Sequence, residues 1–342
     1  MSRQKAKGRI RTAIFFYLRF ACRMSVAPMT VFFQSPAFLL SCTKVPTAAA
    51  PLSVHLRAYG PSEAPERVDL LYFREDGAQQ LDACQQMELQ GGSSAYGVSL
   101  NRDYHLVALT GRQDSASAYL DIRNYGDLCR QTFRLEEESP EAPRLFGETH
   151  VKAGRSRTAD ITLRPLLCHI WLRTLSCDFR ERPYAGARFL NERIFLLHAG
   201  AEATPLGSPG GTTLSWLNPG FLDSLACARL PHPEMVLQDG LGPVGLGRIR
   251  AQREFYCYPN PATEDALGQS RTCLVLEGTV EGAHCYYPIP LPALKAGDSL
   301  KIDLTLLRMG TDSPDCPAEV SSYQLCANRF PWEQWSAQTI LF

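Results

Sequence analysis

The chain has 342 residues, enough for about two ordinary domains, and 45% of them are hydrophobic, so it can bury sizeable cores. Lys+Arg and Asp+Glu balance at 35 each, and no basic stripe is interleaved with aromatics, so nucleic acid is not expected as a partner. The charge that does cluster is at the start: Arg3, Lys5, Lys7, Arg9 and Arg11 stand ahead of two apolar pieces, residues 13–18 and 26–40. This is the basic head of an export signal. Neither piece reaches the roughly 18 uninterrupted apolar residues of a spanning helix, which argues against a transmembrane anchor.

The second piece closes in Leu39-Leu40-Ser41-Cys42, an apolar run followed by a small residue and a cysteine, which resembles a bacterial lipobox. Residues 1–41 are then a lipoprotein signal peptide. The Cys42 thiol is the side chain nucleophilic enough to take a thioether-linked diacylglycerol, and the freed amine takes an acyl chain such as palmitate; more than one chain makes anchoring stable. No other cofactor is expected. Leu40 is bulky for its position, and Gln34, Ser35 and Pro36 interrupt the run, so the alternative is a non-lipidated signal that leaves Cys42 an ordinary thiol. Residues 42–51 are small and Pro-flanked, a tether.

From residue 53 the pattern is that of strands. Val54, Leu56 and Ala58 alternate with His55 and Arg57, the period of two of a half-buried strand. A second strand over 66–73 stops at Glu75-Asp76-Gly77, whose Asp-Gly is expected to supply a positive φ. A third spans 104–109. Residues 111–143, with acidic Glu136, Glu137 and Glu138, read as loop with one short helical turn. Strands return at 145–147 and 158–163. Arg164-Pro165 is the expected boundary between an N-terminal domain, 52–164, and a C-terminal domain, 165–342, because proline does not continue a central ladder.

In the second domain the strand over 166–175 puts Cys168, Ile170, Leu172 and Thr174 on its drier face, and a strand over 193–197 follows. Residues 201–247, rich in Gly and Pro, read as long connections. Four more strands follow, over 255–260, 271–276, 284–291 and 299–306. In the last, Leu300, Ile302, Leu304 and Leu306 share the face expected to meet the core. No long amphipathic helix is evident, and short strands separated by turns argue for β-sandwiches.

The candidate chemistry is thin. Gly240, Gly242 and Gly245 spell G-x-G-x-x-G, but Pro243 lies inside and no amphipathic helix follows, so the segment reads as a loop rather than a phosphate site. Cys168-His169 and His284-Cys285 place adjacent side chains on opposite faces of a strand, where they cannot share a metal. No G-x-S-x-G elbow occurs, and enzymatic activity is not expected. Tyr256, Tyr258, Tyr286 and Tyr287 could line a sugar platform, although aromatics in strands more often pack on their neighbours. Setting Cys22 and Cys42 aside leaves ten of twelve cysteines and no C-x-x-C. Cys273 and Cys285, on consecutive strands, are the favoured disulfide; buried free thiols are the equal alternative.

Together the lipobox, the tether, two strand-rich domains, Tyr258-Pro-Asn260, Tyr286-Tyr-Pro-Ile289, the Lys301–Thr305 strand, Gly310-Thr-Asp-Ser-Pro-Asp315 and Pro331-Trp332 resemble the Bacteroidales fimbrillins. Within them the chain is most similar to the short fimbrial anchor subunits of the FimB type. The resemblance implies two tandem transthyretin-like β-sandwiches, a lipid anchor in the outer membrane, and assembly with other fimbrial subunits by β-strand augmentation, in which a sheet edge accepts an extended segment. It makes the end of the chain, with Ile340 and Phe342, a candidate donor strand; completing its own sheet is the alternative. It also makes Arg57 and Arg67 candidate sites for the arginine-specific cut that removes the first strand of stalk subunits. Stalk, tip (adhesin) and separate sugar-binding roles stay open beside the anchor.

Overall fold

The computed structural model describes residues 53–59, 67–88, 102–111, 119, 121–152, 158–209, 216–265, 270–316, 318–330, 332 and 334–341. The expected signal segment, Cys42, the expected tether and Phe342 lie outside these. The first half contains β1 (Ser53–Tyr59), β2 (Arg67–Arg74), β3 (Leu81–Glu88), β4 (Tyr104–Leu109), helix α1 (Tyr125–Cys129), β5 (Phe133–Arg134), β6 (Leu145–Val151) and β7 (Thr158–Pro165). The second contains β8 (Cys168–Cys177), β9 (Phe189–Leu197), β10 (Ala199–Gly200), β11 (Glu202–Ala203), β12 (Trp216–Leu217), helix α2 (Ser224–Ala228), β13 (Leu237–Val244) and β14 (Ile249–Cys257). It continues with β15 (Cys273–Val280), β16 (Ala283–Pro290), β17 (Ser299–Leu306), β18 (Tyr323–Phe330) and β19 (Gln334–Leu341). The chain is all-β, and neither described helix is long and apolar enough to cross a membrane.

One sheet runs β19-β1-β7-β6-β4-β2-β3. β6 and β7 pair only at Leu145–Pro165 and Phe146–Arg164, so the sheet folds over at that corner and its two limbs face each other. Val54 and Leu56 of β1 and Ile161 and Leu163 of β7 thus share a core with Leu70 and Tyr72 of β2 and Tyr104 and Leu106 of β4. β2 and β4 are covered on their other face too, where Leu71, Phe73, Val107 and Leu109 pack under Tyr119, Ile122 and Leu128. Burial on both sides explains why these two strands read as nearly continuous apolar runs, interrupted by Asp69 and His105. The short turn expected between 111 and 143 is α1, whose capping box joins Asn124 and Asp127.

The second half is a sandwich of two four-stranded sheets, β13-β9-β15-β16 and β14-β8-β17-β18. Its core includes Ile170, Leu172, Phe255, Leu274, Leu276 and Tyr287, with Leu300, Ile302, Leu304 and Leu306 facing inward as their alternation predicts. β16 is an edge strand carrying Pro288 and Pro290, which cannot donate to a ladder. The segment after β17 covers that edge, with Thr311 and Tyr286 exchanging both backbone bonds at 2.8 Å and Ala318 N donating to the Pro288 carbonyl. This protects an edge that would otherwise template association.

Two local readings are corrected. Gly77 is not the positive-φ residue of the first turn: Gln79 takes φ 44°, and Asp76 fixes the turn by accepting from the amides of Ala78 and Gln79. The Gly240–Gly245 stretch is not simply a connection, since residues to Val244 form β13 beside β9, with a bulge between Asp239 and Gly242. A Cβ on Gly240 would stand 2.2 Å from the Asn191 carbonyl oxygen, so this glycine serves close strand approach.

Candidate functional site: the first strand and its neighbours

β1 is an interior strand with partners on both sides. It pairs in parallel with β7, from Ser53–Thr158 to Ala58–Leu163, and antiparallel with β19, from Ser53–Leu341 to Tyr59–Gln334, with an irregularity between Arg57 and Tyr59. Val54 and Leu56 are 0% and 2% exposed, each contributing about 1.5–3 kcal/mol of burial. Removing β1 would uncover a ladder edge on β7, with vacant places for two apolar side chains beside Ala159 and Ile161. That is the chemistry of an acceptor for an extended segment with apolar residues two apart.

Of the predicted site residues, Arg57 and Ile340 lie on or beside this strand, Arg67 and the two predicted disulfide cysteines lie elsewhere, and Cys42 and Phe342 are outside the described residues. Ile340 sits opposite Val54, so the terminal segment completes its own chain's sheet in this structure. Arg57 lies within β1, opposite Thr162 on one side and Ala337 on the other. Arg67 is the exposed first residue of β2. At the root of β19, Trp332 is 7% exposed, with its indole N–H donating to the Asp298 carbonyl at 3.2 Å and its ring 5.5 Å from His169 and 6.4 Å from Tyr256. His169 is in turn stacked on Tyr256 at 5.0 Å and bonded to the Ser299 hydroxyl. This cluster fixes the point from which the last strand leaves the C-terminal sandwich.

The Cys273–Cys285 disulfide is not formed. The β15–β16 register sets Cys273 opposite Pro290 and Cys285 opposite Gly278, an offset of about 17 Å along the strand, where a disulfide tolerates a Cα separation of about 7 Å. The two thiols also lie on opposite faces, Cys285 in the main core and Cys273 in a smaller cluster with Phe195, Leu197 and Val275. The four tyrosines do not make a platform either. Tyr258 and Tyr287 are core residues, Tyr256 lies against His169, and Tyr286 lies against His284 on the other sheet. Among the described residues, no group of three His, Cys, Asp or Glu side chains could hold a metal.

Two polar clusters escaped sequence reasoning. Glu138, whose side chain is fully buried, accepts from the Tyr258 hydroxyl at 2.6 Å and from the Arg144 amide at 3.1 Å. Arg144 lies 4.6 Å over the Phe133 ring and reaches Glu137 at 2.9 Å. The cluster ties the 133–144 segment to the second sandwich, whose core also takes in Phe133 and Leu135. Elsewhere, on β4, His105 is 3% exposed, stacks on His150 at 4.2 Å, contacts the Tyr125 ring, and bonds Glu148 at 3.0 Å; His150 bonds Glu75. Burial, and then the neighbouring His150, hold the His105 imidazole below its ordinary value of 6.5 despite Glu148 and Glu75. A base whose folded pKa is depressed supports the fold above its unfolded pKa and loses that support as pH falls. Thermal stability should therefore fall on acidification below about pH 6.5, and less steeply in His105→Phe, which keeps the ring but cannot titrate. Parallel melting curves of the two proteins across that range check this.

No protein-family model and no curated protein matches the chain. Solved structures do match. A "putative cell adhesion protein" from Bacteroides eggerthii aligns with TM-score 0.59 and 16% identity, covering 83% of this chain and 96% of its own. A second, of the same description, from Parabacteroides distasonis, aligns with TM-score 0.56 and 12% identity over 83% and 97%. A fimbrilin from Porphyromonas gingivalis W83 aligns with TM-score 0.53 and 13% identity over 83% and 98%. What these similarities establish is the fold: the chain has the all-β, sandwich architecture of fimbrilin and of these adhesion proteins, over nearly their whole length.

Proposed function

We propose that the chain is a non-enzymatic structural subunit of a surface fimbrium, and specifically the lipoprotein anchor that tethers the fimbria to the outer membrane through Cys42. The observation that carries the subunit reading is β1 held between β7 and the terminal β19. Two strands from the ends of the described chain share one sheet, so exchanging either for a strand of another subunit conserves its hydrogen bonds. In assembly β19, with Ile340 and Phe342, is the donor, and the β1 position of the neighbouring subunit is the acceptor. The anchor reading rests on the lipobox-like 39–42 segment; an anchor that ends the fibre would keep β1 in place.

Two variants separate the parts of this proposal. Removing residues 334–342 should leave a folded protein that no longer joins purified partner subunits in a pull-down; undiminished joining would sink strand donation. Cys42→Ala should shift the protein from the membrane pellet to the medium, taking attached fimbriae with it, and unchanged membrane retention would sink the lipid anchor. A trimmed stalk or tip subunit is the second reading, favoured by the exposed position of Arg67, where a cut would detach β1 and spare β2. Mass spectrometry of the native N-terminus distinguishes them, since an anchor begins at lipidated Cys42 and a trimmed subunit begins after Arg57 or Arg67.

A further inference from the structure

We infer that Cys168 and Cys257 form a disulfide that links β8 to β14 inside the C-terminal sandwich. The two are direct cross-strand partners, at the end of the β8–β14 ladder where His169 also faces Tyr256. Their side chains project from the same face into the same core, and both residues are 0% exposed. His169 N donates to the Asp298 carbonyl at the start of β17, so the Cys168 backbone groups point the other way, toward β14. That makes Cys168–Cys257 a hydrogen-bonded pair with a Cα separation of about 5.5 Å, inside the range of about 4.4–6.8 Å that disulfides occupy; its Cβ atoms stand wider apart than in a non-hydrogen-bonded pair, so closing the bond draws the two strands together locally. Cys273 and Cys285 meet none of these conditions.

In this structure both thiols are reduced, and Cys168 Sγ donates to the Lys295 carbonyl at 3.1 Å. Turning Cys168 about its Cα–Cβ bond exchanges that contact for the Cys257 sulfur. The bond forms by thiol–disulfide exchange with an acceptor disulfide, borne by a protein or a small molecule such as oxidised glutathione. One cysteine, as thiolate, attacks an acceptor sulfur to give a mixed disulfide, and the other displaces it. One S–S bond is made in the protein and one is broken in the acceptor, which leaves as two thiols carrying the two electrons and two protons. Burial pushes the Cys257 thiol up to about 12 and the Cys168 thiol well above the ordinary value, so neither is a nucleophile once folded. Exchange belongs to the period when β8 and β14 are still accessible. Supply of the oxidant in the cell rests on the export reading; the experiment below does not use that reading, so the two can fail separately.

Reduced, unfolded protein refolded with oxidised glutathione, then alkylated and digested without reduction, should give one predominant cross-linked species joining the Cys168 and Cys257 peptides. Folded reduced protein given the same oxidant should leave both thiols unlinked. The linked protein should melt at a higher temperature than its reduced form, and Cys168→Ser or Cys257→Ala should abolish both the linked peptide and the difference. Recovery of both cysteines as free thiols from natively refolded wild type, or their linkage to other cysteines instead, would overturn the assignment. The wild-type peptide map decides the matter even where a variant fails to fold.

Discussion

Replacing Glu138 by alanine should cost about 3–5 kcal/mol of unfolding free energy, read as a shift of the denaturant midpoint. Alanine would leave the Tyr258 hydroxyl without its acceptor inside the core and Arg144, with a side chain only 10% exposed, dependent on the half-exposed Glu137. A guanidinium cannot discharge its charge by losing a proton, so the loss falls on the fold. Tyr258→Phe removes one hydrogen bond and should cost only about 1–2 kcal/mol. A Glu138→Ala cost no larger than that would show that Glu137 replaces it as the counterion. The pH dependence has a definite sign. Burial raises the Glu138 carboxyl above its ordinary value of 4.5, against the opposing pull of Arg144 and the Tyr258 hydroxyl. The proton-linked part of its contribution is complete below the unfolded carboxylate pKa and is lost as pH rises through the raised folded value, while the ionised group still pairs with Arg144. Glu138→Gln, which does not titrate, should therefore lose less stability as pH climbs out of the carboxylate range.

The second large loss is expected at Asn191, where leucine, a side chain of comparable size, should destabilise by about 3 kcal/mol. Asn191 is 2% exposed and stitches three strands: its side-chain N–H groups donate to the carbonyls of Arg193 and Glu277, both at 3.0 Å, and its oxygen accepts from the Leu241 amide at 2.9 Å. These contacts span the two irregularities in the ladders of β9, one with β13 and one with β15. Backbones come unusually close there, since a Cβ on Gly278 would stand 2.0 Å from the Leu190 carbonyl oxygen. Leucine would strand the Glu277 carbonyl in a buried site and take their partner from the part-buried Arg193 carbonyl and Leu241 amide. Thermal melting, with hydrogen exchange at the Leu241 amide, checks this; an unchanged melt and a protected amide would refute the role.

How much of this was legible follows from what each residue touches. β1, β2, β4 and β17 carry their apolar alternation or apolar run in the open, because burial on one or both faces leaves a period of two or none. β3 escaped notice because it is an edge strand, and in Leu81-Asp-Ala-Cys-Gln-Gln-Met-Glu only Ala83 is packed against the main N-terminal core. β13 was hidden by its glycines, which mark a bulge as readily as a loop. Glu138 sits in an acidic run that reads as a solvated surface, and its hydroxyl partner is 120 positions away. The cysteines failed for a related reason. Consecutive strands suggested Cys273 and Cys285, but pairing depends on register and face, and those set Cys168 beside Cys257 from strands that are far apart in sequence.

The placement of β1 between β7 and β19 also governs when the first sandwich can be finished. β1 is made early, but its antiparallel partner is the last strand of the described chain, and even its parallel partner comes only after five intervening strands. Such long-range pairing gives a high contact order and slow closure, because the entropy of joining distant segments is lost before their contacts repay it. Until β19 arrives one flank of β1 has no partner, so a newly made chain passes through a sticky intermediate whose lifetime is set by synthesis of β19.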